Sequence, residues 1–152
     1  MGTLFDLMHK FFIDDEWYFM QLDNRPILQM GFQGKNGKWT CYSQVNEDQD
    51  LFFFYSVCPV NVPEEKRSAV AEYITRANYG LKIGNFEMDY QDGEVRYKTS
   101  IDVENDRLNQ ALISNLVYAN LWTMDRYLPG ILSVIYGDAQ PESAIIRVEH
   151  EV

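Results

Sequence analysis

The chain has 152 residues, 46% of them hydrophobic, and carries a net charge of −10. This length is enough for the core of one domain, which we expect to span residues 1–152. The excess of carboxylates argues against nucleic acids and anionic membranes as partners, because binding to phosphate needs clustered Lys and Arg. No apolar run is long enough to cross a membrane, so we expect a cytoplasmic location.

The first predicted element is a helix over residues 3–13. Apolar side chains recur there at helical spacing, at Leu4, Leu7, Met8, Phe11 and Phe12. Thr3 precedes them and is the predicted N-cap, because its hydroxyl can accept a hydrogen bond from a free amide of the first turn. The apolar residues 17–20 have two interpretations, a short strand or the way into a sheet.

A β-hairpin is predicted over residues 28–46. Apolar and polar residues alternate on both sides of an Asn-Gly pair at residues 36–37, as in an antiparallel sheet with one buried face. Asn-Gly is typical of a two-residue loop, so we expect Phe32 to lie opposite Cys41.

The strand predicted over residues 51–58 is apolar on both faces, unlike the two before it. One face holds Phe52, Phe54 and Cys58, and the other holds Leu51, Phe53, Tyr55 and Val57. Such a strand is normally covered on both sides. If helices cover only one side of the sheet, the other side is the best candidate for an interface. We therefore predict a partner-binding surface formed by Tyr42, Phe53, Tyr55 and Val57.

A second helix is predicted to begin at Pro63, which suits the first helical position. Gly80 is placed to end this helix in a left-handed conformation. The inner stripe of the helix is predicted at Val70, Ala71, Ile74 and Ala77.

A second hairpin follows, with an Asp-Gly pair at residues 92–93 that favours a type I′ loop of two residues. This register places Phe86 opposite Thr99 on an apolar face. On the other face it places Glu87 opposite Lys98, one of two opposite-charge pairs.

A long helix is predicted from about residue 106 to residue 128. Pro129 removes a backbone donor, so residues 131–136 are expected as a further helix or a kinked continuation that stops at Gly137. Residues 141–151 are predicted as a short terminal helix. The long helix is expected to face inward with Leu108, Leu112, Leu116, Ala119 and Trp122, and the terminal helix with Ala144, Ile145 and Val148.

These elements predict an α+β fold. An antiparallel five-stranded sheet carries helices on one face, in the order α-β-β-β-α-β-β-α. The residues offer no catalytic or metal-binding constellation, since Cys41, Cys58, His9 and His150 have no ligand spacing. We therefore expect neither an enzyme nor a cofactor.

Several short runs resemble the YbjN family: RANYGL at residues 76–81, GNFEMD at residues 84–89 and DGE at residues 92–94. The resemblance extends to Val62-Pro63 and to residues 125–137, and so covers most of the chain. Members are described as bacterial sensory-transduction regulators. The resemblance implies a fold like that of type III secretion chaperones, which are often dimers that bind extended segments of other proteins. It implies no catalytic residues.

Two functions follow from these observations. The first is a non-enzymatic protein-binding module, chaperone-like or regulatory, that uses the predicted surface, forms a homodimer, or both. The alternative is a small-ligand sensor, with an aromatic pocket between the long helix and the sheet. That pocket would be lined by Trp39, Tyr97 and Trp122.

Overall fold

The computed structural model describes residues 2–150. Its helices are α1 (Thr3–Asp14), α2 (Arg67–Asn78), α3 (Gln110–Tyr136) and α4 (Pro141–His150), with a short 3₁₀ turn at Glu64–Lys66 before α2. Its strands are β1 (Phe19–Gln21), β2 (Ile27–Gln33), β3 (Lys38–Asn46), β4 (Leu51–Val57), β5 (Asn85–Met88) and β6 (Val95–Asp102).

All the described strands form one antiparallel sheet in the order β1-β2-β3-β4-β6-β5. The sheet has six strands, not the predicted five. The additional strand is β1, which pairs with residues 28–30 of β2 and forms one edge. Three residues are too few for an alternating pattern to identify a strand. The sequence therefore allowed two interpretations of residues 17–20.

The described helices lie on one side of the sheet, which we call the inner face; the opposite side is the outer face. In α1, the ring of Phe12 stacks on Phe54 of β4 at 6.2 Å. In α3, Asn120 Nδ2 donates to the carbonyls of Phe54 and Tyr97 at 2.8 and 3.0 Å, which ties the helix to β4 and β6. The helices α2 and α4 pack on α3 and on each other.

The turn between β2 and β3 differs from the predicted one by two residues. Phe32 pairs with Trp39 rather than with Cys41, and the loop consists of Lys35 and Asn36. A shift of two residues leaves every side chain on its own face of the sheet. The faces predicted for both strands are therefore correct, although the register was wrong.

The cause of this shift lies in α3. The carboxylate of Asp125 accepts hydrogen bonds from the backbone amides of Lys35 and Asn36, at 3.0 and 2.8 Å. A Cβ at Gly34 would overlap with that carboxylate. The loop therefore packs against a helix about 90 residues away in the chain. The Asn-Gly pair alone does not predict this contact.

The turn between β5 and β6 is two residues longer than predicted. Phe86 pairs with Tyr97 rather than with Thr99. Gly93 has a φ of +79°, and its carbonyl accepts a hydrogen bond from the amide of Val62 at 2.8 Å. Docking against the segment before α2 thus selects a four-residue loop over the type I′ loop.

The start of α1 is capped by a distant residue. Thr3 is not the N-cap; the N-cap is Gly2, which makes no side-chain capping bond. The amides of Leu4 and Phe5 donate to the carboxylate of Glu47 at 3.1 and 2.9 Å. A carboxylate at this end also complements the helix dipole.

In α2, three of the four predicted inner residues are buried, but Ala71 is only half-buried. Tyr73 is fully buried and was not predicted. Gly80 has a φ of +101°, as expected for a left-handed stop.

Of the two expectations for residues 131–136, continuation of the long helix is the correct one: α3 runs through Pro129 to Tyr136, and Gly137 is its C-cap. The helix begins at Gln110, not near residue 106. Because Pro129 has no N–H, the carbonyl of Asp125 lacks its usual donor four residues later. The side-chain amide of Asn36 donates to that carbonyl at 2.9 Å and supplies the missing bond. The sequence around Pro129 cannot show this replacement.

The buried face of α3 differs from the predicted one. Trp122 was expected to face inward and is 67% exposed. Apolar residues occupy much of the helix circumference, so their spacing alone did not select the buried stripe. That stripe includes Ile113, Val117, Leu121, Met124 and Leu128.

The helix α4 agrees with its prediction within the described residues. Ala144 and Ile145 are buried, and Val148 is half-buried. The predicted last residue, Glu151, lies outside the described residues.

Candidate functional site

The four residues predicted as a binding surface lie together on the outer face. Tyr42 of β3 pairs directly with Tyr55 of β4, and Phe53 and Val57 flank Tyr55 on the same face. We call these four residues the aromatic patch. The described helices pack on the opposite side of the sheet, so none of them covers it.

The patch is ordered by ring contacts. The rings of Phe53 and Tyr55 are nearly parallel, with centroids 6.0 Å apart and an interplanar angle of 7°. The guanidinium of Arg96 lies 4.2 Å from the centroid of the Tyr55 ring, within cation–π range. Tyr55 is only 9% exposed, whereas Tyr42, Phe53 and Val57 are half-buried. Tyr55 therefore supports the patch, and the other three supply most of its accessible surface.

Burial raises the pKa of the Tyr55 phenol, and the opposing effect of the Arg96 charge is smaller. The phenol is therefore neutral at physiological pH and adds no negative charge to the patch.

The charges beside the patch are arranged differently from the prediction. Glu87 lies opposite Arg96, not opposite Lys98. Its carboxylate is 2.5 Å from Arg96 Nε and 3.6 Å from Lys98 Nζ. The carboxylate of Glu87 therefore lies close to two cations. Asp89 and Glu94 line the same depression as Glu87 and Arg96, so this side of the patch carries charges of both signs. Because the groups are partly exposed, each pair contributes at most about 1 kcal/mol to stability.

Two depressions border the patch on the outer face. One, of about 640 Å³, is lined by Thr40, Tyr42 and Val57 among others. The second, of about 510 Å³, includes Ile27 and Phe53. The predicted binding surface did not include Ile27 or Thr40, although the alternation in β2 and β3 places both on this face. The depressions could accommodate side chains of an extended segment.

Within residues 2–150, the three rings of the predicted aromatic pocket do not meet between the long helix and the sheet. Tyr97 is fully buried, with its ring 4.7 Å from that of Phe86. Trp39 and Trp122 line two separate surface depressions. Core side chains fill the space between α3 and the sheet where the three rings were expected to meet.

The thiols have no reactive environment. Burial raises the pKa of Cys41 to about 12 and that of Cys58 to about 11, so both are protonated at neutral pH. In residues 2–150, no group of three His, Cys, Asp and Glu side chains is placed to hold a metal ion. None of the helices in that range has the length and apolarity needed to cross a membrane.

Comparison with solved structures relates this fold to two proteins. The crystal structure of YbjN from E. coli, "a putative transcription regulator", superimposes with a TM-score of 0.63 at 12% identity, over 80% of this chain and 85% of that one. A chain of the HopA1-SchA chaperone-effector complex superimposes with a TM-score of 0.52 at 15% identity, over 79% and 91%. At these identities the likeness concerns the fold.

Sequence comparison identifies a family. No curated protein matches the chain. The family model for YbjN, described as "Putative bacterial sensory transduction regulator", matches residues 5–133, which is most of the chain. The resemblance of the short runs is therefore confirmed, and this protein belongs to the YbjN family.

Proposed function

We propose that the protein is a non-enzymatic binding module, chaperone-like or regulatory, that engages a protein partner through the outer face of its sheet. The observation that carries this proposal is the aromatic patch, which lies on a sheet face that has no described helix over it. The family description supports a regulatory role. The similarity to a chain of a chaperone-effector complex supports protein binding.

The composition of the outer face supports the same role. Aromatic and Arg side chains dominate the energetics of protein interfaces, and here Arg96 lies against the ring of Tyr55. Polar residues, among them Gln29 and Gln44, lie on the same face around the patch. An apolar centre with a polar rim is the usual arrangement of a protein interface.

A second copy of the chain is one partner that this proposal includes. A face without a helix can pair with itself about a two-fold axis. Light scattering of the purified protein is expected to give about twice the chain mass of 17.8 kDa. A mass of one chain at all concentrations would contradict the homodimer and leave a different protein as the partner.

Phe53→Asp tests the proposed face. Tyr136→Asp is the matched control, because Tyr136 is 69% exposed on α3, on the helix side of the molecule. We expect Phe53→Asp to weaken binding of the partner about tenfold or more, which corresponds to about 1.4 kcal/mol. Affinity capture with equal amounts of tagged variants measures this, with circular dichroism to check folding. Equal recovery with both folded variants would contradict the proposal.

A further inference from the structure

A cavity of about 530 Å³ lies on the helix side of the molecule, between α3, α4 and the turn that joins β2 to β3. Its volume is within the range of small-molecule sites. It is separate from the aromatic patch, which lies on the outer face, and it is not the pocket that the sequence predicted.

Three cations line this cavity: Lys35 from the turn, Arg126 from α3 and Arg147 from α4. No ion pair joins any of them to a carboxylate of residues 2–150. Their convergence is notable in a chain with a net charge of −10. Guanidinium groups offer paired donors that match the oxygens of phosphate and carboxylate groups.

Hydrogen bonds hold the guanidinium of Arg126 and the backbone of Lys35 in place. A terminal nitrogen of the Arg126 guanidinium donates to the carbonyl of Glu149 at 3.1 Å. The backbone of Lys35 is fixed by its amide bond to Asp125. Asp125 is the acidic residue of the cavity wall, and both of its carboxylate oxygens accept backbone amides of the turn. Its charge is therefore partly compensated within the protein.

The ring of Trp122 forms another part of the cavity wall. A Trp side chain is rarely left as exposed as this one, which is 67% accessible. Pro129 and Val148 add apolar surface to the same wall. A flat ring beside a group of cations can stack with the ring of a bound molecule.

We infer that this cavity binds a small polyanion that carries a planar ring, of the chemical class of the nucleoside phosphates. The cations receive the charged group and Trp122 receives the ring. The site is independent of the proposed protein-binding face, so its test does not decide the test of that face.

Isothermal titration of the purified full chain with ADP, pyrophosphate and adenosine tests the ligand class. We expect ADP to bind at least about tenfold more tightly than either fragment, because only ADP uses both the cations and the ring. Absence of measurable ADP binding would overturn the inference. Equal affinities for ADP and pyrophosphate would overturn the role of Trp122.

Charge-removing variants locate the site. Arg147→Gln and Lys35→Gln are each expected to weaken ADP binding about tenfold, and both side chains are exposed, so the fold should be retained. Lys82→Gln removes the same charge from an exposed position outside the cavity and should leave the affinity unchanged. Equal effects of all three variants would show binding to the overall charge and would overturn the site.

Discussion

Gly130 occupies a position in α3 where even a methyl group has no room. A Cβ there would overlap with the hydroxyl of Tyr73, which is fully buried and donates to the carbonyl of Tyr127 at 2.8 Å. The hydroxyl cannot move without losing this bond, and an unpaired buried donor is costly. The close packing of α2 on α3 therefore depends on a residue without a side chain.

We expect Gly130→Ala to lower the free energy of unfolding by about 1–3 kcal/mol, as overpacking of a core does. Gly31→Ala is the control, because a Cβ at Gly31 meets nothing within 4 Å, and its effect should stay within about 0.5 kcal/mol. Urea denaturation of the three proteins measures both. Similar losses for the two variants would contradict this explanation.

The aromatic patch could be predicted from the sequence because alternation along a strand assigns each side chain to a face. The capping of α1 by Glu47 could not be predicted from the sequence. The carboxylate of Glu47 and the amides that donate to it are more than 40 residues apart in the chain. The contact between the guanidinium of Arg96 and the ring of Tyr55 could not be predicted either, because it depends on β6 lying next to β4 in the sheet. Local sequence patterns predict which face of the sheet a residue lies on, but they do not predict its contacts with residues distant in the chain.

At the scale of elements, the long helix and the first hairpin depend on each other. Pro129 leaves the carbonyl of Asp125 without an intrahelical donor, and the side chain of Asn36 supplies one. In return, the carboxylate of Asp125 holds the backbone of the turn. This exchange explains both why the helix does not end at Pro129 and why the turn departs from its predicted register.

A double-mutant cycle tests this dependence. We expect Asn36→Ala to cost about 1 kcal/mol in the parent protein, the usual value of one hydrogen bond. In the Pro129→Ala background the cost should be close to zero, because residue 129 then has an N–H for the carbonyl of Asp125. Unfolding free energies of the four proteins give the coupling. Strictly additive effects would show that the two residues act independently.

The limits of α1 and of strands β2, β3 and β4 lie within two residues of the predicted ones. The helix α2 begins at Arg67 rather than at Pro63, and α3 spans Gln110–Tyr136 rather than residues 106–128. The misses have physical causes. The strand β1 is too short to show alternation, and it forms by pairing with β2. The inner face of α3 was misassigned because apolar residues surround much of that helix, and because a buried polar residue, Asn120, bonds to two strands. These features depend on tertiary packing, which cannot be inferred from the periodicity of apolar residues.

At the scale of the whole molecule, the two sides of the sheet are covered differently. The helices bury the inner face, and the outer face keeps an aromatic patch with the guanidinium of Arg96 against the ring of Tyr55. The overall charge of −10 correctly describes an acidic chain but not the distribution of its charges. The three cations of the α3–α4 cavity could not be grouped from the sequence, because they come from three separate elements.

The most direct test of the central claim is site-specific photo-crosslinking in living cells. A photoreactive phenylalanine analogue replaces Phe53 on the outer face in one variant and Tyr136 on the helix side in the other. We expect a discrete cross-linked protein from position 53 and none from position 136, with mass spectrometry to distinguish a second copy from another partner. Cross-links from position 136 alone, or from neither position, would contradict docking through the outer face of the sheet.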